Sequence, residues 1–198
     1  YLTFNVSEDL PTSDPLVRAA VDYAIDEQLL VEILQDGYGV PVRGRVSPET
    51  SFAPQELYDA YLYDPARAEE LLSEAGYGPG ELSLTLMGAG SYADAADLVA
   101  VMLADVGISA DIQLFESSVW NSRYWHTGEF EHIGFGASSD SSFDYGNSLV
   151  DLTCPDGVHA GRGHWCNDEY TDLVNRANGE FDDEARAGLL REAAEILL

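Results

Sequence analysis

The sequence predicts an α/β fold in which helices pack on a mostly parallel sheet, and three observations carry that reading. Residues 82–115 run strand, helix, strand, with a glycine just before the second strand. Two Asp-Pro pairs each open an amphipathic stretch, and a further strand pattern near 131 follows a short helical segment. Such alternation suits parallel strands joined by crossover helices. With 198 residues, 45% of them apolar, the chain can bury a single core, and one domain or one large lobe is expected over 1–198.

Taken in order, Tyr1 to Val6 reads as a strand, and Ser13-Asp14-Pro15 as an N-cap followed by proline in the first helical turn, where its missing N–H is harmless. Val17, Val21, Ala24, Ile25, Leu29 and Ile33 then recur at three- and four-residue steps, predicting one helix to about Leu34. Arg18 and Asp22, one turn apart on it, are placed to form a surface pair. Residues 40–63 carry Pro41, Pro48 and Pro54 and little periodicity, which predicts a long connection with at most one helical turn. Asp64-Pro65 caps a short helix that stops at Gly76. Leu82 to Met87 alternates as a strand, Tyr92 to Val106 as a helix ended by Gly107, and Ile108 to Phe115 as the parallel partner strand. A short helix over 117–127 precedes a third strand over 131–136. Residues 136–163 are rich in Gly, Ser and Asp and are expected to be mostly loop, before two amphipathic helices over 167–177 and 183–198. The chain opens in a strand and ends inside a helix, so both ends read as cut from something longer.

Charge is the most lopsided property. Thirty-six acidic residues face nine basic ones, all arginine, for a net charge of -27. The carboxylates are scattered among periodic apolar positions, which argues against a disordered acidic tail. Such a surface repels itself across a Debye length of about 8 Å at ordinary ionic strength and about 3 Å near 1 M salt. Adaptation to strong salt is the expectation. Nucleic acid is excluded as a partner, since its phosphates need a basic face. No run approaches the roughly 20 apolar residues of a membrane-spanning helix.

The two cysteines, Cys154 and Cys166, admit two readings. An even, local pair suggests a disulfide and an oxidising compartment. Cys154, His159, His164 and Cys166 would alternatively supply a two-Cys, two-His zinc site, although the spacing matches no common zinc pattern well.

Four stretches carry a resemblance. The first runs from Asp14-Pro15-Leu16-Val17-Arg18-Ala19 to Tyr23-Ala24-Ile25-Asp26. The second runs from Tyr63-Asp64-Pro65 through Leu71-Leu72 to Ala75-Gly76-Tyr77. In the third, the Leu103 to Ile108 turn is followed by Glu116, Trp120 and Gly128-Glu129-Phe130-Glu131; in the fourth, Cys154 to Cys166 precedes Asn167-Asp168-Glu169-Tyr170. In order and spacing these resemble the family 5 extracellular solute-binding proteins, the peptide-type receptors of ABC importers. The resemblance implies the C-terminal lobe of a periplasmic-binding-protein-like fold of the class II, peptide-binding type, whose N-terminal lobe is absent. It also strengthens the disulfide, because the dipeptide-receptor branch bridges two similarly placed cysteines. It implies no catalysis, cofactor or metal. It implies a monomeric protein outside the cell, lipid-anchored through a segment beyond this fragment, with a small solute or peptide and the ABC permease's transmembrane subunits as partners.

Ligands of open α/β lobes bind at the carboxyl ends of the strands, which points to the segment after the third strand. There Asp140 best matches the family's aspartate that pairs with a ligand α-amino group; Ser138, Ser139 and Phe143 flank it, and Asp144 takes its place if the register slips. The bland reading of Asp140 is a solvated loop carboxylate or a helix cap. Trp120 and Arg123, on the short helix before that strand, complete the candidate ligand set, with an ordinary core position as the alternative for Trp120. Dipeptide-binding relatives hold the ligand carboxylate with an arginine near the start of the 92–106 helix, whereas this chain has Tyr92, Ala93, Asp94 and Ala95 there. Two other classes compete: a secreted glycoside hydrolase using Asp140 and Asp144 as paired carboxylates, and a structural surface-layer domain. His126, His132, His159 and His164 form no pattern with a nucleophile.

Overall fold

The computed structural model describes residues 1–42, 49–58, 62–137, 144–155 and 157–197. These divide into two compact units, residues 2–41 with 62–136, and residue 1 with 42–61 and 137–198.

The first unit is built on a four-stranded sheet. Its strands are β1 (Leu2–Phe4), β2 (Leu82–Ala89), β3 (Ile108–Phe115) and β4 (Ile133–Phe135), in the order β1-β4-β2-β3. β2 pairs in parallel with β3 along its whole length, from Leu82 opposite Ile108 to Ala89 opposite Phe115, and in parallel with β4 at Leu86 and Met87. β1 runs antiparallel to β4. Sitting between two partners, β2 is buried almost continuously from Leu84 to Ala89, as a central parallel strand must be.

The β2–β3 crossover is the helix α5 (Ala93–Asp105), whose buried Ala96, Val99, Met102 and Leu103 repeat at helical spacing. Gly107 ends it with φ +83°, and a Cβ there would stand 3.1 Å from Pro79 Cα, so this turn needs glycine on both counts.

The amino-terminal helix departs from its predicted form. It is two helices, α1 (Pro15–Ala24) and α2 (Glu27–Leu34), parted at Ile25, which is extended and buried. Asp26 caps the second by accepting from the Leu29 amide. A second cap inside one apolar stripe is invisible to periodicity, because the stripe continues across the break. Arg18, expected as a surface pair with Asp22, donates to the carbonyls of Thr12 and Ser13, while burial lowers its pKa against the opposing pull of Asp14 and Asp22. α4 (Pro65–Glu74) follows, capped by Asp64 as predicted.

A polar knot fastens the start of β4. The Asn5 amide donates to the His132 carbonyl and the Asn5 side chain to the Phe130 carbonyl. The Thr85 amide donates to His132 Nδ1 at 3.0 Å, and the Thr85 hydroxyl to Glu131 Oε2 at 2.8 Å. An Nδ1 that accepts carries no proton, so the ring is neutral here. Desolvation lowers the pKa of His132 below its ordinary 6.5, with Glu131 opposing. The sign follows: the unfolded chain takes up the proton first, so this contribution is whole above about pH 6.5 and is lost as pH falls through that value. Acid also neutralises carboxylates, so the test is differential. In molar KCl the wild-type melting temperature should fall between pH 7 and 5 relative to H132N, whose amide oxygen can accept from Thr85 at every pH; parallel curves would refute the assignment.

The second unit is helical. Its helices are α3 (Gln55–Tyr58), α7 (Tyr145–Leu149), α8 (Val158–Gly163), α9 (Asp168–Gly179) and α10 (Asp183–Leu197). α7 and α8 fall within the stretch expected to be mostly loop. α7 forms because Asp144 caps it and because Tyr145 and Leu149, one turn apart, are both buried. They join Tyr170, Leu173, Val174, Ala177, Leu190 and Ala194 in a second apolar core. Helices of five or six residues are too short to show a period.

Candidate functional site

In the first unit the three parallel strands release their carboxyl ends together: Ala89 of β2, Phe115 of β3 and Phe135 of β4. Aromatic rings gather there. The helix α6 (Ser117–Asn121) and a π-helical turn, Ser122–Thr127, follow β3 directly. Trp120 is 1% exposed, stacks on Phe115 and Tyr124 at centroid distances of 6.2 and 5.1 Å, and donates from Nε1 to the Phe135 carbonyl at 3.0 Å. It is therefore a core residue that ties the helix to the last residue of β4, the bland alternative stated for it.

Two contributors, Tyr92 and Phe135, escaped the sequence reading. Tyr92, half-buried, stacks on Phe135 at 5.7 Å, and both rings lie over Gly88. A Cβ at position 88 would meet Phe135 Cβ at 3.2 Å and the Tyr92 ring at 3.4 Å. A glycine within an otherwise apolar strand marks such a close approach, and that was the available signal. Arg123 holds its guanidinium carbon 4.8 Å from the Phe115 ring centre, with Glu129 3.9 Å from Nε. Among the described residues the strand ends thus offer aromatic rings and the Arg123 cation, suited to an organic solute with an apolar body and a polar group.

Asp140, Ser138, Ser139 and Phe143 lie outside the described residues. Asp144 is described, in the second unit. Its carboxylate caps α7 through the Asn147 amide and receives both terminal nitrogens of Arg186 at 2.9 Å. Desolvation works to raise its pKa, but the Arg186 hydrogen bonds and the Asn147 and Gly146 amides outweigh it and hold the pKa below the usual 3.8. The pair's contribution is therefore present at neutral pH and is lost only as pH falls below that value. A carboxylate so engaged has a structural duty, and among the described residues nothing around it supports the paired-acid hydrolase. Arg186 also donates to the Ala177 carbonyl and lies over Phe52 at 4.7 Å, joining α9, α10, α7 and the segment at 52. R186A should destabilise the chain by roughly 1–3 kcal/mol, mostly by removing the charge-assisted hydrogen bonds to half-buried Asp144, read as a lower urea midpoint at pH 7. An unchanged midpoint would show the pair to be idle.

Cys154 and Cys166 are joined as a disulfide, with Cα atoms 5.6 Å apart. Among the described residues one group has metal-ligand spacing, Cys154, Cys166 and Asp168, and its two sulfurs are bonded to each other. The zinc alternative loses both thiolates; the His159 side chain lies outside the described residues.

Residues 1–157 match the family described as Bacterial extracellular solute-binding proteins, family 5 Middle. Di/tripeptide-binding protein 3 of Pseudomonas aeruginosa (strain UCBPP-PA14) is 32% identical over 205 residues, covering 100% of this chain and 38% of that protein. Glutathione-binding protein GsiB of Salmonella choleraesuis (strain SC-B67) is 38% identical over 120 residues, 59% of this chain and 23% of that protein. The unliganded open form of MppA, a periplasmic murein tripeptide binding protein, superposes with a TM-score of 0.84 at 25% identity, covering 100% of this chain and 39% of that one. The chain spans less than two fifths of the length of these curated relatives.

Proposed function

The chain belongs to the bacterial extracellular solute-binding proteins of family 5, and on that premise we propose that it serves as one lobe of the substrate-binding component of an ABC importer. The lobe takes part in capturing a peptide-like or other small solute outside the cell, and the protein delivers that solute to the transmembrane permease subunits. The supporting observation is the set of three parallel strand ends, rimmed by Tyr92, Phe115, Phe135 and Arg123. It sits in a chain whose full length aligns with a protein named for binding di- and tripeptides.

The function needs no chemistry. Capture requires a second lobe to close over the ligand by hinge motion, so this lobe acts as one jaw and catalyses nothing. Asp140 remains the proposed contact for a ligand amino group, and Ser138, Ser139 and Phe143 remain proposed ligand contacts beside it. Among the described residues no helix is long and apolar enough to cross a membrane, and we place the protein at the outer cell surface, held by an anchor outside this chain. Mass spectrometry of material extracted from the natively purified full-length protein should reveal one small-solute class, with short peptides first. Glycosidase turnover by the same preparation would replace this reading with the hydrolase.

The charge bears on habitat. With a net charge of -27 and no lysine, the surface is suited to a medium in which salt screens its self-repulsion. The melting temperature should climb steeply from dilute buffer to about 3 M KCl. A melting temperature indifferent to KCl would remove the salt adaptation and leave the transport role untouched.

A further inference from the structure

In a chain with 36 acidic residues, an arginine that hydrogen-bonds no carboxylate stands out. Arg67 donates to Glu70 and Glu74, Arg176 to Asp172, Arg186 to Asp144 and Arg191 to Glu195, all within 3.2 Å. Arg18 is satisfied by two carbonyls, and Arg162 is buried and partnered. Arg123 differs. Among the described residues its guanidinium makes no hydrogen bond; the carboxylate of Glu129 is 3.9 Å away, and the side chain is 38% exposed. What holds it is the Phe115 ring, and a cation–π contact uses none of the five guanidinium N–H donors.

Its placement is fixed from below. Arg123 lies in the π-helical turn Ser122–Thr127, a rare backbone form concentrated at functional sites. Its carbonyl accepts from both the Thr127 hydroxyl and the Glu129 amide at 3.0 Å. Phe115, on which the guanidinium rests, is the last residue of β3 and stacks on Trp120, itself bonded to the last residue of β4. The donors are therefore pre-positioned at the strand ends, on a side chain that is partly exposed.

We infer that Arg123 is the anion-reading residue of the strand-end site, and that the ligand presents a carboxylate to it. This rests on the receptor reading above and adds the chemistry of one ligand group. A guanidinium matches a carboxylate through two parallel hydrogen bonds, a geometry lysine cannot reproduce. The protein's net charge opposes this preference, since a field of that sign attracts cations and repels anions at long range. Selection for a carboxylate must then come from a local contact, and salt that screens the field leaves hydrogen bonds at contact distance in place.

The test uses the full-length protein in molar KCl, with dialanine and trialanine as free acids and as C-terminal amides, measured by calorimetry. The amides carry one more positive charge, so the general field favours them. The wild type should prefer the acids, and R123Q should lose about tenfold or more in acid affinity while amide affinity stays within about twofold. R123K should recover only part of the loss. Equal binding of acid and amide by the wild type, or an acid preference surviving in R123Q, overturns the role of Arg123 and leaves the receptor standing. Failure of every peptide to bind the wild type overturns both this inference and the peptide reading. Arg123 is partly exposed and outside the core, so the variants should melt as the wild type does.

Discussion

Parallel pairing of β2 with both β3 and β4 is the constraint from which the rest of the first unit follows. A parallel partner cannot be reached by a tight turn, so each pairing demands a crossover, here α5 before β3 and the α6 and π-helical segment before β4. Because all three strands point the same way, their carboxyl ends arrive at one edge. The segments that leave that edge supply Tyr92, Trp120 and Arg123, so the site is a product of strand direction.

Packing at that edge divides labour among the aromatic residues. Trp120 is wholly buried, and its single N–H is spent on the Phe135 carbonyl, so it anchors the helix. Phe115 has one side against Trp120 and the Arg123 guanidinium at its ring, so the same stack that completes the core positions a charge outside it. Tyr92 reaches Phe135 only because Gly88 leaves room beneath both rings. The rim is thus assembled from parts whose first role is stability.

Carboxylates are so abundant here that their presence indicates little by itself. Asp14, Asp26, Asp64 and Asp144 all act as helix caps, and Asp144 also takes up Arg186. In such a composition the rarer species is the better guide. Among the described residues, an arginine that hydrogen-bonds no carboxylate stands out in the structure far more than an acidic pair stands out in the sequence.

Helix and strand order, the Asp-Pro caps at 14 and 64, the glycine stop at 107 and the parallel β2–β3 unit were legible in the residues alone, because each rests on local chemistry or on a period several turns long. The break at Ile25, the short helices α7 and α8, and the burial of Trp120 were not, since each depends on which distant segment packs against it. The same holds for the site: strand direction named the edge, but sequence spacing does not say which side chains meet there. Residue order determined the fold class and the kinship; only three-dimensional packing decided that Tyr92 stacks on Phe135 over Gly88, that Asp144 belongs to Arg186, and that Arg123 rests on Phe115 without a hydrogen bond to the described residues. Local rules act over a few residues, whereas these contacts join positions far apart in the chain.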